Sequence, residues 1–147
     1  MSGAAVREAV TILALPEQVR AARGFAGRVL GPAHPCLDVA LLLASELVTN
    51  SVRHSGSAVR GGQVTVTVAA GEDCVRVEVT DRSGDGTPVL WPAGGEAEGS
   101  RGMRLVDALA SRWGYERGGG LATTWFELRQ DLAAAPRTWR VPSCACR

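Results

Sequence analysis

Lysine is absent from this chain: all 16 basic residues are Arg. The absence excludes a Walker A phosphate loop, a pyridoxal Schiff base and any lysine nucleophile. If phosphate is bound, backbone N–H groups, a metal ion or Arg must hold it. Soft metal ligands are scarce too. The four cysteines, Cys36, Cys74, Cys144 and Cys146, form no C-x-x-C pair, and His34 and His54 are the only histidines, so a zinc site is not expected. No run approaches the 18 or so apolar residues of a membrane span. Glu8 and the short apolar run Val10–Leu15, ended by Pro16, are wrong for a signal peptide. With 15 acidic residues the net charge is only +1, which leaves no global field to recruit nucleic acid or a membrane. A cytoplasmic protein with reduced thiols, without nucleic-acid or membrane partners, is the expectation.

The rest of the composition is that of a globular domain. At 147 residues one domain is expected, large enough to bury a core without staples. The domain is assigned to residues 1–132, and the Ala-, Pro- and Arg-rich stretch 133–147 is read as a C-terminal tail. Val10–Leu15 reads as a short strand, followed by a helix from about Pro16 to Leu30, which Gly31-Pro32 closes. A second helix runs from about Pro35 to His54. Gln63–Ala69 and Cys74–Asp81 alternate with period 2 around a Gly71-Glu72-Asp73 turn and read as a hairpin. From Arg82 to Arg101 periodicity disappears among glycines and prolines, as in a disordered stretch or a functional lid. Helical spacing returns at Leu105, Val106 and Leu109. A last hairpin pairs Trp113–Arg117 with Leu121–Arg129.

Three elements carry chemistry. On the second helix, Leu37, Leu41, Ala44 and Val48 form the stripe expected to meet a sheet, with Glu46, Asn50 and Arg53 on the opposite side. Glu46 and Asn50, one turn apart, place a carboxylate beside a carboxamide oxygen, a pair suited to a hard cation or to a base next to a metal ligand. A solvated polar face is the alternative. Asp81 has the parity of Val75, Val77 and Val79 and so continues an inward row at a strand end, unless the strand stops at Thr80 and Asp81 begins a turn. Gly84 and Gly86 follow it and permit close approach by a flat ligand. Finally, Glu98-Gly99-Ser100-Arg101-Gly102-Met103 reads as a Gly-rich turn entering a helix, where free N–H groups favour an anion.

Taken in order, Glu46-Leu47-Val48-Thr49-Asn50-Ser51-Val52-Arg53-His54, Val79-Thr80-Asp81 with its glycines, and Arg101-Gly102-Met103-Arg104-Leu105-Val106 resemble the N, G1 and G2 boxes of the gyrase/histidine-kinase/MutL (GHKL) ATPases. More narrowly, the chain resembles the stand-alone anti-sigma-factor serine kinases of Gram-positive bacteria and their actinobacterial relatives. The likeness runs from about Ile12 to Leu128 and includes Trp113-Gly114 and Thr123–Leu128. It departs from the family pattern at Ser83 and Ser100, where glycine is usual.

The resemblance implies an α+β fold, a two-layer sandwich of a mixed sheet with helices on one face (the Bergerat-type ATP-binding fold). It implies ATP and Mg²⁺ as ligands. Asn50 would bind Mg²⁺, and Glu46 would be the catalytic base. Asp81 would accept the adenine amino group, with Gly84 and Gly86 shaping the pocket. Arg101 and Gly102 would meet phosphate, and Thr123 would support the adenine side. The implied function is an anti-sigma factor with ATP-dependent serine/threonine kinase activity that phosphorylates an anti-anti-sigma (STAS-type) partner, with a homodimer as one assembly open to it. The alternative is a nucleotide-gated binding protein with little or no kinase activity.

Overall fold

The computed structural model describes residues 5–54, 62–71, 74–82 and 98–129, apart from the side chains of 54 and 98–102. Strand β1 (Val6–Leu13) leads through a short 3-10 turn (Pro16–Gln18) into α1 (Val19–Leu30), and α2 (Leu37–His54) follows. Then come β2 (Gln63–Ala70), β3 (Cys74–Arg82), α3 (Glu98–Leu109), β4 (Arg112–Gly118) and β5 (Leu121–Arg129). The strands form one sheet in the order β1-β2-β3-β5-β4. All four pairings are antiparallel, so the sheet is not the mixed one expected from the resemblance; the α+β layering and the helices on one side agree with it.

The alternation read from the sequence sets the faces. Val64, Val66 and Val68 on β2 lie opposite Asp81, Val79 and Val77 on β3, and all face the helices. Phe126 and Leu128 continue these rows on β5. Against them pack Ala22 and Ala26 of α1, Leu43, Leu47 and Val48 of α2, and Met103 and Val106 of α3. Gly31 at φ 86° ends α1, a backbone state L side chains rarely adopt. Gly119 and Gly120 both have positive φ (62° and 78°), as a two-residue hairpin turn of the primed type requires.

Several boundaries differ from the sequence reading. Strand β1 begins at Val6, and its first half, largely exposed, is held by edge pairing to β2 rather than by apolar burial. Helix α3 begins at Glu98, so the Gly-rich segment 98–102 is the first turn of the helix instead of a turn before it. Cys74 is disulfide-bonded, against the expectation of reduced thiols, while Cys36 is free.

Candidate functional site

The site forms where α2 crosses the end of the inward row of β3. The buried stripe of α2 consists of Ala40, Leu43, Ala44, Leu47, Val48, Ser51 and Val52, rotated roughly 45° from the stripe read off the sequence at 100° per residue. The rotation has a chemical consequence. It moves Asn50 from the far side of the helix to the edge of the buried stripe, and Glu46 stays further out; both are half-buried. Asn50 Oδ1 is completely withdrawn from solvent and has no hydrogen-bond partner among the described residues. An orphaned buried acceptor is costly and rare, and one at a helix edge suits a hard cation or a donor from outside the chain. Arg53 on the same side is exposed.

Asp81 remains in the strand, which runs on to Arg82, and is 8% exposed at the end of the Val75-Val77-Val79 row. Burial pushes its carboxyl up to about 6 from the ordinary 3.8, and a hydrogen bond from Ser51, one residue beyond Asn50 on α2, pulls the other way. Ser51 is itself buried. A carboxylate so placed retains acceptor capacity for a ligand's N–H groups. Sequence reasoning missed Ser51. Its signal is a hydroxyl standing on an otherwise apolar helical stripe.

Thr123 is not brought to Asp81. It lies opposite Thr80 in the β3–β5 register, and the two hydroxyl oxygens are 2.9 Å apart on the face away from the helices. Period 2 along β5 gives the reason: Ala122, Thr124 and Phe126 share the helix-facing side with Asp81, and Thr123 cannot. Thr124, buried beside Val79, is the threonine on the site's face, and the same alternation could have located it.

Arg101 and Gly102 fall inside α3. The helix starts at Glu98, so the N–H groups without intrahelical partners precede Arg101, and neither Arg101 nor Gly102 contributes one. Gly84 and Gly86, with Ser83 and the rest of the stretch expected to form a lid up to residue 97, lie outside the described residues, as does the tail 133–147. Among the described residues no three His, Cys, Asp or Glu side chains converge as a metal site. None of their helices is long and apolar enough to cross a membrane.

Comparison with known proteins places this arrangement. The histidine kinase-like ATPase domain model matches residues 12–128. Among solved structures, the RsbU and RsbW domains of Rv1364c from Mycobacterium tuberculosis align with TM-score 0.53 and 21% identity over 83% of this chain, which spans only 32% of that one. The histidine kinase domain from the Erythrobacter litoralis EL346 blue-light activated histidine kinase aligns with TM-score 0.54 and 24% identity, covering 84% of this chain and 69% of that one. No curated protein matches the chain. At these identities the structural likenesses speak to the fold, and the match over residues 12–128 speaks to the family: the chain belongs to the histidine kinase-like ATPase domain family.

Proposed function

We propose that the chain is an ATP-dependent regulatory protein: an anti-sigma factor with serine/threonine kinase activity whose substrate is an anti-anti-sigma (STAS-type) protein. The observation that carries the nucleotide half is the juxtaposition on α2 and β3 of two buried acceptors, Asn50 Oδ1 without a partner and Asp81 held by Ser51. Asp81 would accept the exocyclic amino group of adenine. Asn50 Oδ1 fits Mg²⁺, which takes oxygen ligands and is commonly completed by water and substrate phosphates rather than by a full protein cage. Mg²⁺ supplies charge neutralisation at the phosphates. The first turn of α3 offers free N–H groups to phosphate, the role the missing lysine cannot fill. Resemblance to stand-alone serine kinases, together with a solved neighbour that contains an RsbW domain, supports the regulatory half.

In the transfer, Glu46 takes the proton of the partner's serine hydroxyl, whose oxygen bonds to the γ-phosphorus. The bond from that phosphorus to the bridging oxygen of ADP breaks, leaving phosphoserine and ADP. Glu46 lies one helical turn from Asn50, so base and cation ligand share one helix edge. Phosphotransfer to a STAS-type protein from the same genome tests the assignment. Glu46→Ala is expected to keep Mg·ATP affinity within a few-fold and slow transfer by about 10²–10⁴. Equal rates in both proteins would overturn the role of Glu46. A wild type that binds Mg·ATP and its partner yet transfers nothing would be a nucleotide-gated binder instead.

A further inference from the structure

Two serines on α2 satisfy their hydroxyls in different ways. Ser45 bonds back to the Leu41 carbonyl at 2.8 Å, the local partner that a helix offers any serine in its interior. Ser51 is 4% exposed, on a stripe with Leu47, Val48 and Val52, and its hydroxyl donates across the layer to Asp81. A hydroxyl has one proton to give, so this bond commits it to the carboxylate.

The neighbouring strands supply Asp81 with nothing comparable. Its Cα partners are Val64 on β2 and Ala122 on β5, and Val79 precedes it on the same face; none of these side chains can donate. Thr124 shares the face but stands opposite Val79, one row away. The carboxyl group is therefore aimed from the helix side. One oxygen is held by Ser51, and the other keeps its acceptor capacity for a ligand's N–H. A carboxylate so held attracts an amino group and repels a carbonyl oxygen, since both of the latter pair are acceptors.

We propose that Ser51 is the positioning residue that sets nucleobase choice: its hydroxyl aims the Asp81 carboxylate so that the site prefers a 6-aminopurine to a 6-oxopurine. The inference rests on the reading of Asp81 as the base-binding group. Without the Ser51 bond the carboxylate is free to turn. It then meets the amino group less well, and it can swing away from a 6-oxo group toward the N1–H that such a base carries. Losing the hydroxyl thus relaxes the choice of base more than it weakens nucleotide binding as a whole. Ser51 touches no ligand atom in this scheme and acts through Asp81.

The test measures affinities of the full chain for Mg·ATP and Mg·ITP by titration calorimetry. The two nucleotides share ribose, triphosphate and Mg²⁺ and differ only at the purine 6-position and the adjoining N1. A general disturbance of α2, displacement of Asn50 included, therefore weakens both alike and leaves their ratio unmoved. Wild type should prefer ATP, and Ser51→Ala should narrow the preference by about tenfold, the worth of one hydrogen bond to a charged group. Ser51→Cys, similar in size but a weak donor, should narrow it likewise and decides the matter if the alanine variant fails to fold. Ser51→Thr keeps the hydroxyl and should hold the wild-type ratio. An unchanged ratio in Ser51→Ala or Ser51→Cys would overturn the role of Ser51 while leaving the nucleotide reading in place. So would a ratio that falls as far in Ser51→Thr as in Ser51→Ala, or a wild type that binds ATP and ITP equally. A wild type that binds neither would overturn this inference and the nucleotide reading together.

Discussion

Ser51 and Asp81 are joined across the layer between α2 and β3: the Ser51 hydroxyl donates to a carboxylate that burial has raised to about 6. The residue before Ser51 is Asn50, whose Oδ1 has no partner. One helical turn thus holds the Asp81 carboxylate and presents the Asn50 oxygen, so displacing α2 would disturb both groups on which the proposed nucleotide site rests. Burial of Asp81 is costly in the free protein and leaves acceptor capacity for a ligand, a combination typical of functional positions.

The raised Asp81 pKa makes stability depend on pH. Between the unfolded value of 3.8 and the folded value of about 6 the native state holds more protons than the unfolded state, so stability falls as pH rises through this window. Above about 6 the loss is complete, about 3 kcal/mol at about 1.4 kcal/mol per pKa unit. Asp81→Asn should remove this component: urea unfolding from pH 3.5 to 7.5 should show the variant gaining on wild type as pH rises. The same variant should lose the Mg·ATP-induced rise in melting temperature. A constant difference between the two proteins across that range would refute the raised pKa.

Gly114 is required by Trp125. A Cβ at position 114 would stand 2.6 Å from Cζ2 and 2.8 Å from Cε2 of the indole, inside any tolerable contact. The ring cannot easily yield, because Arg76 covers it at 4.1 Å and Arg112 flanks it at 5.6 Å. Gly114→Ala should therefore lose about 1–3 kcal/mol, the usual range for overpacking. Trp125→Leu should recover part of the loss in the double variant. Additive losses in thermal unfolding would show that the contact is not the cause.

Arg76 and Glu127 form an ion pair in which both partners are buried, extended by Glu78 at 2.7 Å and Arg112 at 3.5 Å. Burial alone would lower the Arg76 pKa, but hydrogen bonds to Glu78 and Glu127 and their charges raise it. Removing one partner strands the other: Arg76→Met should cost about 3–5 kcal/mol. Arg76→Met with Glu127→Leu should be much milder than that single change. A double variant as unstable as the sum of the two would contradict the pairing.

Periodicity made much of this legible. Alternation in Val64–Val68 and Val75–Val79 gave both central strands and placed Asp81 on the correct face, since a period of 2 admits only two answers. The helix read less well. Leu37, Leu41, Ala44 and Val48 are apolar, but Leu43 and Leu47 are apolar too, and only packing against α1, α3 and the sheet chose the rotation that buries Ser51 and brings Asn50 inward. Thr123 was assigned by resemblance against the parity of its own strand, and Thr124 holds the inward position. The start of α3 was misread because glycines mimic a turn, whereas Glu98 opens the helix.

Asn50 separates stability from ligand binding most sharply. Its Oδ1 is buried and unpaired, and such a group lowers stability by about 1–3 kcal/mol relative to a satisfied one. A near-isosteric apolar side chain removes the unpaired oxygen without opening a cavity, so Asn50→Leu should melt at the same temperature as the ligand-free wild type or a few degrees higher. The wild type should gain about 4 kcal/mol at a ligand concentration near 1,000 times Kd. Asn50→Leu should lose most of that gain with Mg·ATP and far less with ATP in the presence of a chelator, because only the cation-dependent part passes through the amide oxygen. Asn50→Asp restores an oxygen ligand and should recover Mg²⁺-dependent binding. Thermal melts of the three proteins with no ligand, with ATP and chelator, and with Mg·ATP decide the matter. If Asn50→Leu keeps the full Mg·ATP shift, the orphaned oxygen has some other purpose and Asn50 is not the cation ligand.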